Sequence, residues 1–302
     1  MPRAILNRRW FGSKRAPEVD SAESRLRELA LAVLRLGDPD TARRVCNPLF
    51  GPPLRQIPDH WLVERCDPAV SADSLDDPDQ WDLLRRVASS APGRRLLDFG
   101  CGVKPDQRRT IEAAGFQWHG LEVRTSVDPG TRPQLGRLGA DADITLYDGV
   151  TIPFPDASFD AVFSNQSLEH VHSPDIAVSE IARVLRPRGC LVGSVSHLEP
   201  YHGYNTFNYT PYGFKLLCDR HGLDLERLSA GIDAPTLITR SLLCQFGQGT
   251  QIDAIFEAYP VDSPLSQLVN DLGRRGVIPI ADANLLKLNF CAQFRFVARK
   301  RG

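Results

Sequence analysis

The chain has 302 residues, of which 42% are hydrophobic and 24% charged, a composition that excludes a disordered or fibrous protein. Its 36 Lys and Arg residues balance 37 Asp and Glu residues, so no overall positive charge attracts it to nucleic acid. There is no apolar run of about 18 residues to span a membrane, and we expect no signal peptide. The seven cysteines are scattered without a Cys-x-x-Cys pair, which favours reduced thiols and a cytoplasmic location.

Residues 1–78 are predicted to be an N-terminal extension laid on the main domain. The first twenty residues are basic with interleaved apolar side chains, which predicts a flexible start; weak contact with an anionic membrane surface is the alternative. Residues 21–36 carry apolar residues at helical spacing and are predicted to form a helix. The main domain is then predicted to cover residues 79–302.

Beyond residue 79, helices and strands are predicted to alternate along the chain. Helices are predicted at 79–91, 106–114, 174–186 and 211–221. Strands are predicted at 94–99, 117–123, 144–147, 159–164, 190–196, 224–231 and 289–298. Most of these strands are apolar on both faces, which indicates an α/β fold with a parallel sheet covered by helices on both sides. Residues 233–286 are too many for a turn, so we expect a helical insertion or lid.

A glycine-rich turn, Asp98-Phe99-Gly100-Cys101-Gly102-Val103-Lys104-Pro105, follows the first strand. Its glycines let the backbone turn sharply and approach a ligand, at the edge where open α/β sheets bind ligands. Glu122 ends the second strand twenty residues after Gly102 and can accept both hydroxyls of a ribose. A dinucleotide site would have a third glycine where Pro105 stands, and Asp98 would repel a phosphate. The pattern therefore favours a ligand with a cationic amine, such as S-adenosylmethionine, over NAD.

The motifs of residues 80–230 resemble those of class I S-adenosylmethionine-dependent methyltransferases. LLDFGCGVKP is similar to their first motif, YDGVTIPFPDASFDAVFSNQSLEHV to later motifs, and RVLRPRGCLVGSVSH to their fifth strand. Lys104 stands where the family usually has a third glycine, and the GCGxKP form resembles a subgroup linked to polysaccharide or natural-product modification. The resemblance implies a Rossmann-like, seven-stranded, mostly parallel sheet whose last strand is antiparallel.

The resemblance also implies a set of cofactor-binding residues. The turn residues Asp98, Gly100, Cys101 and Gly102 would meet the amino acid moiety of the cofactor, and Glu122 its ribose. The adenine ring would lie near two residues after the third strand, Asp148 and Gly149. Two residues at the end of the fourth strand, Asn165 and Gln166, would line the side from which the methyl group leaves.

Three histidines are candidates for the base that deprotonates a hydroxyl acceptor, the task His performs most often. His170, His197 and His202 all follow the fourth or fifth strand. The loop after the fifth strand is rich in aromatic and hydrogen-bonding side chains, which suits a small-molecule or saccharide acceptor. No metal site is expected, because His170 and His172 do not share a helix face and no His-x-x-x-His spacing occurs.

The sequence thus predicts a methyltransferase, most simply one that methylates oxygen. Two alternatives stay open. One is an NAD-dependent reductase or epimerase on a similar sheet, and the other is a catalytically silent module that still binds S-adenosylmethionine. A nucleic-acid methyltransferase is not expected, since no basic stripe interleaved with aromatic residues occurs between the chain's short basic termini.

Overall fold

The computed structural model of the protein describes residues 69–102, 104–124, 141–246 and 264–302. The helix predicted at 21–36 and the basic start lie outside the described residues. The described chain forms one seven-stranded sheet: β1 (Arg95–Phe99), β2 (Gln117–Val123), β3 (Ile144–Tyr147), β4 (Phe159–Asn165), β5 (Leu185–Ser196), β6 (Leu223–Ala230) and β7 (Gln293–Lys300). Seven α-helices accompany it: α1 (Gln80–Ser90), α2 (Pro105–Ala113), α3 (Pro174–Val184), α4 (Pro211–Arg220), α5 (Ala234–Phe246), α6 (Pro264–Arg274) and α7 (Ile280–Phe290).

The strand order in the sheet is β3-β2-β1-β4-β5-β7-β6. Strands β1 to β5 pair in parallel, whereas β7 runs antiparallel to both of its neighbours, β5 and β6. The predicted fold class, including the antiparallel last strand, is therefore confirmed. Successive strands are added on one side of β1 and then, from β4 on, on its other side. Open α/β sheets bind their ligands at such a switch point.

Two hydrophobic clusters cover the two faces of the sheet. On one face, side chains of α1 and α2 such as Leu84 and Ile111 pack on Leu96 and Phe163. On the other face, residues of α3, α4 and α7 pack on side chains that alternate with the first set, such as Leu97. This alternation explains why the strands are apolar throughout, since both faces of each central strand are buried.

The helix ends follow from local sequence signals. Asp79 caps α1 by accepting hydrogen bonds from the backbone of Trp81 and Asp82, and the Asp82 side chain accepts from the Asp79 backbone in return. Pro105 occupies the first turn of α2, where a missing N–H costs nothing. The glycine-rich turn therefore passes directly into α2, which fixes its position at the switch point.

Two predicted boundaries are wrong. The helix predicted at 174–186 ends at Val184, and β5 begins at Leu185, because the chain pairs Leu185 with Phe159 before a bulge that carries Pro187-Arg188-Gly189. The strand predicted at 289–298 begins only at residue 293. Phe290 is the last residue of α7 and is 45% exposed, whereas Ala292, Phe294 and Phe296 are buried in phase as expected.

The described end of the predicted extension lies against the sheet edge. Val70 bridges Leu228 of β6, and the Ser229 hydroxyl donates to the carbonyl of Pro78. On α7, the amide of Asn284 donates to the carbonyls of Ser71 and Ser74. The domain boundary at residue 78 and the lid role of 233–286 stay predictions.

Candidate cofactor and acceptor site

The glycine-rich turn is folded back onto β2. The amides of Gly100 and Cys101 both donate to the carbonyl of Leu121, at 2.9 and 3.2 Å. Gly100 has a φ of 71° and Gly102 a φ of 52°, which side chains with a Cβ rarely adopt. A Cβ on Gly100 would also lie 2.6 Å from the Ser167 hydroxyl oxygen. Both glycines are thus required by the backbone, as the sequence predicted.

Glu122 fastens this turn from the end of β2. Its Oε2 accepts the amide of Gly102 at 2.8 Å and its Oε1 accepts the amide of Val123 at 2.9 Å. A carboxylate has about four lone-pair positions, so two hydrogen bonds leave it able to accept further donors. Glu122, twenty residues after Gly102 in the sequence, therefore places a half-buried carboxylate at the glycine-rich turn.

Asp98 lies beneath the turn and is only 1% exposed. Its carboxylate accepts hydrogen bonds from Gln107 Nε2 and Trp118 Nε1, all at 2.9 Å. Burial raises the pKa of this carboxyl to about 6, against the hydrogen bonds from Gln107 and Trp118, which lower it. The structure therefore holds Asp98 as a buried anchor below the turn rather than at its surface.

Gln107 joins the predicted residues Asp98 and Asn165 by hydrogen bonds and was not itself predicted. It lies in the first turn of α2, is 5% exposed, and its Oε1 accepts from Asn165 at the end of β4. It thereby joins the buried acid of β1 to β4 across the switch point. A polar residue in the first turn after the glycine-rich segment was the available signal, but nothing in the sequence shows which way it points.

Asp148 and Gly149 follow β3, beside the end of β2. Asp148 is exposed, and its Oδ1 accepts hydrogen bonds from the amides of Val150 and Thr151, both at 2.8 Å. These hydrogen bonds hold the pKa of Asp148 below its usual range. Gly149 has a φ of 82°, and the Arg124 amide donates to the Tyr147 carbonyl. Glu122 and Asp148 therefore stand at the ends of neighbouring strands.

Asn165 and Gln166 extend the hydrogen bonds between polar side chains from β4 to β5. Asn165 Oδ1 accepts from the Ser194 hydroxyl at 2.9 Å. The Gln166 side chain lies between Ser194 on one side and Ser196, Glu169 and Glu199 on the other. Turned with its nitrogen toward the carboxylates, Gln166 donates to Glu169 at 2.7 Å and no longer directs its oxygen at the two acids. Hydrogen-bonding side chains thus extend from the glycine-rich turn to Glu169.

Glu169, His170 and His202 form a compact group beyond β4. One donor atom from each lies within 4.8 Å of the others. Glu169 is fully buried, and burial raises its pKa to about 7. Burial, and then the neighbouring His202, lowers the pKa of His170. The structure thus brings together two of the three predicted catalytic histidines, with an acid that was not among the predicted site residues.

The loop after β5 is tied to the turn after β4, which explains this group. The amides of Thr206 and Phe207 donate to the Glu169 carbonyl at 2.7 and 3.1 Å, and the Thr206 hydroxyl donates to the Val171 carbonyl. The Tyr209 hydroxyl donates to the Leu168 carbonyl at 2.7 Å. These contacts join residues more than thirty positions apart, so spacing along the chain cannot reveal them.

His197 belongs to a different environment. Its ring packs edge-on against Phe294 of β7, with 6.2 Å between ring centroids, and lies within hydrogen-bonding reach of the backbone of Tyr209 and Asn289. Burial lowers its pKa. The structure does not place His197 with His170 and His202, and its catalytic role stays a prediction.

The remaining predicted residues divide into exposed and packed ones. Tyr201 is 74% exposed and Tyr204 48% exposed, whereas Tyr209 is buried in the core. Cys101 is buried under the turn, and burial raises its thiol pKa, so it supports the turn by packing. The thiols of Cys101, Cys190, Cys218 and Cys291 are unpaired. None of the described helices has the length and apolar composition needed to cross a bilayer.

Comparison with known proteins agrees with this arrangement. Residues 97–193 match the family model described as a methyltransferase domain. A sterol 24-C-methyltransferase of Gibberella zeae is 35% identical over 107 residues, covering 32% of this chain and 26% of the relative. A 27-O-demethylrifamycin SV methyltransferase of Amycolatopsis mediterranei is 32% identical over 114 residues, covering 36% and 42%. The chain thus spans about a quarter to two-fifths of the length of these curated relatives.

The comparison with solved structures gives matches at low sequence identity. Phosphoethanolamine N-methyltransferase 2 of Haemonchus contortus, in complex with phosphomonomethylethanolamine and S-adenosylhomocysteine, is 19% identical with a TM-score of 0.43. The likeness covers 74% of this chain and 53% of that one.

Residues 97–193 match a methyltransferase domain, and the glycine-rich turn within them lies at the switch point of the sheet. The resemblance to class I S-adenosylmethionine-dependent methyltransferases that the sequence predicted is confirmed over this segment.

Proposed function

We propose that the protein uses S-adenosylmethionine to methylate a hydroxyl group of a small-molecule or saccharide acceptor. The observation that supports the cofactor is the contact between Glu122 and the Gly102 amide at the switch point. A carboxylate fixed at that position accepts ribose hydroxyls, and the open turn between Gly100 and Gly102 offers no third glycine for a pyrophosphate. The NAD-dependent alternative therefore lacks its defining feature.

Oxygen as the accepting atom is supported by the group of Glu169, His170 and His202. A hydroxyl must lose its proton during transfer, and two imidazoles beside a buried carboxylate offer proton-accepting atoms within 4.8 Å of one another. Exposed aromatic rings at Tyr201 and Tyr204, which flank His202 in the chain, provide flat apolar surface of the kind that sugars and ring-bearing molecules require. The name of the rifamycin relative also indicates an oxygen acceptor for that enzyme.

The protein contributes mainly by positioning. S-adenosylmethionine supplies a methyl group on a positively charged sulfur, so transfer removes a charge and needs no strong oxyanion hole. Alignment of acceptor and methyl group can supply roughly 7–11 kcal/mol in well-oriented cases. The network of Gln107, Asn165 and Gln166 holds the two halves of the site at a fixed separation.

Replacing Glu122 tests the cofactor assignment. Glu122→Gln keeps an oxygen for the Gly102 amide but removes the charge, and a hydrogen bond to a charged group contributes about 1.5–3 kcal/mol. We expect S-adenosylmethionine affinity to fall by one to two powers of ten in calorimetry. Glu112→Gln, an exposed acid on α2 paired with Arg108, is the matched control and should bind as wild type does.

Two results would contradict the proposal. Unchanged affinity in Glu122→Gln, or tighter binding of NAD than of S-adenosylmethionine by the wild type, would remove the cofactor assignment. The acceptor is then sought by mass spectrometry of metabolites and glycans incubated with the protein and labelled cofactor. Labelled products methylated only at nitrogen or carbon would overturn the oxygen acceptor, and cofactor binding without any transfer would favour a silent module.

A further inference from the structure

The group of Glu169, His170 and His202 has a donor set that the proposed function does not fully use. Two imidazole nitrogens and one carboxylate oxygen lie within 4.8 Å of one another. An ion bound at about 2.0–2.2 Å from each donor holds such atoms roughly 3–4 Å apart, so small side-chain rotations close the group around it. Two histidines and one carboxylate are also a recurring ligand set for first-row transition metals.

The hydrogen bonds around His202 orient it as a ligand. Its Nδ1 lies 3.1 Å from the carbonyl of Pro200 and can donate its proton there, leaving the Nε2 lone pair free. Metal-binding histidines almost always donate their second N–H to a carbonyl or carboxylate in this way. The His170 ring is likewise held against the backbone of Gly203 and Tyr204.

Glu169 adds an independent observation. The side chain is fully buried, its Oε1 accepts from the Ser196 hydroxyl at 3.2 Å, and its Oε2 has no hydrogen-bond partner within the described part of the chain. A buried carboxylate oxygen without a donor is costly and rare in folded proteins. A bound cation would supply the missing partner.

Two acids beside the group favour a cation, against the positive charge of Lys104, which also acts on Glu169 and His170. Glu199 Oε2 lies 2.7 Å from the same Ser196 hydroxyl, so the two carboxylates share the one hydrogen of that hydroxyl. Glu199 Oε1 also lies 3.8 Å from His202 Nδ1. Two like charges held this close destabilise each other, and a divalent cation beside them compensates both.

We propose that Glu169, His170 and His202 bind one divalent transition-metal ion, which in turn binds a hydroxyl oxygen of the acceptor. This inference rests on the proposed function and names the way in which the acceptor is held. Three protein ligands leave further coordination positions open, as in catalytic metal sites. An acceptor with two adjacent hydroxyls, as in a sugar or a catechol, can fill two of these positions.

The ion would make the hydroxyl a better nucleophile. Coordination lowers the pKa of the bound hydroxyl, which releases its proton to water. The oxygen lone pair then forms the bond to the methyl carbon while the carbon–sulfur bond breaks, and its electron pair stays on sulfur. The products are the methyl ether, neutral S-adenosylhomocysteine and one proton. In this step His170 and His202 hold the ion, and the ion takes over the activation of the hydroxyl that the imidazoles would otherwise perform as bases.

The expectation of no metal site came from spacing along one helix. His170 and Glu169 lie in a short turn after β4, whereas His202 comes from the loop after β5, thirty-two residues later in the chain. The backbone contacts between Thr206 and Glu169 bring the two segments together. A ligand set assembled from two loops in this way has no local sequence spacing.

Metal titration of the full chain without a histidine tag tests the inference. The protein is first treated with a chelator, and Zn²⁺ and Co²⁺ are then added in calorimetry, with visible absorption recorded for Co²⁺. We expect one saturable equivalent per chain and a Co²⁺ spectrum of a nitrogen- and oxygen-ligated ion. His202→Ala and Glu169→Gln should each weaken binding at least tenfold, whereas the exposed His172→Ala should bind as wild type does.

Three measurements keep the result unambiguous. Unfolding curves confirm that each variant is folded, and the half-exposed His202 tolerates truncation even where the buried Glu169 does not. The absence of saturable binding, or His202→Ala binding the ions as tightly as wild type, overturns the metal site. S-adenosylmethionine binding to the chelated protein is measured in parallel, because its loss would contradict the proposed function, whereas its retention without metal binding contradicts only the ion.

Discussion

Asp98 shows how one buried residue couples the site to stability. Its carboxyl is 1% exposed and has a pKa raised to about 6 by burial, compared with about 3.9 in an unfolded chain. The folded form therefore keeps its proton at pH values where the unfolded form is already charged. The stability that Asp98 contributes to the folded protein is fully present below about pH 4 and is lost as the pH rises through about 6.

The Asp98→Asn variant should lack this pH dependence. We expect the unfolding free energy of wild type to fall relative to that of the variant by up to about 3 kcal/mol between about pH 4 and 7, since two pKa units correspond to that energy. Urea denaturation of both proteins at several pH values measures the difference. A constant difference across this range would mean that Asp98 is not a buried titrating group.

At the scale of elements, the glycine-rich turn is constrained in two separable ways. Gly100 combines a φ of 71° with a Cβ position 2.6 Å from the Ser167 hydroxyl oxygen. Gly222, in the turn between α4 and β6, has a φ of 72° but nothing within 4 Å of its Cβ position. The two glycines therefore share a left-handed φ, which would strain a residue with a Cβ, and differ in steric crowding.

Replacing each glycine by alanine separates strain from crowding. Gly222→Ala should cost about 1–2 kcal/mol, the penalty for a left-handed conformation with a Cβ. Gly100→Ala should cost more and should also weaken S-adenosylmethionine binding, because the turn must shift away from Ser167. Urea denaturation and calorimetry measure both effects. Equal stability losses in the two variants would show that the contact with Ser167 is readily relieved.

The sequence predicted most of the fold, because the signals for its elements are local. Alternating apolar segments, the Asp79 cap and Pro105 set element positions to within a few residues. The boundary at Phe290 was wrong because an apolar residue in phase with a strand also fits the end of a helix. The β5 bulge was missed because Pro187-Arg188-Gly189 suggests a break unless the neighbouring strand is known.

The site was predictable only where it follows from strand order. Glu122 and the turn meet because parallel strands end at one edge, and the distance between them is short in the chain. Gln107 and the group around Glu169 depend on tertiary contacts between distant segments. His197 follows a strand end as His170 does, yet it faces β7, since the direction of a side chain after a strand is set by the loop.

At the level of the whole molecule, residues 69–78 cover the sheet edge formed by β6 and the buried ammonium group of Lys287. Lys287 of α7 is 3% exposed, and its ammonium group donates to the Leu75 carbonyl and the Asp77 carboxylate. Arg295 of β7 also attracts Asp77. These contacts connect α7, β7 and the preceding segment, so the pair joins parts of the chain more than two hundred residues apart.

Removing the acid of this pair should destabilise the protein far more than removing the acid of a surface pair. Asp77→Asn leaves the Lys287 ammonium buried without its counter-charge, which typically costs about 3–5 kcal/mol. Asp219→Asn removes the partner of Lys215 on α4, a more exposed pair within one helix that should contribute less than about 1 kcal/mol. Urea denaturation measures both variants. Adding Lys287→Met to Asp77→Asn should restore part of the loss, because the uncompensated charge is gone. Equal effects of the two single variants would show that residues 69–78 do not seal Lys287 from water.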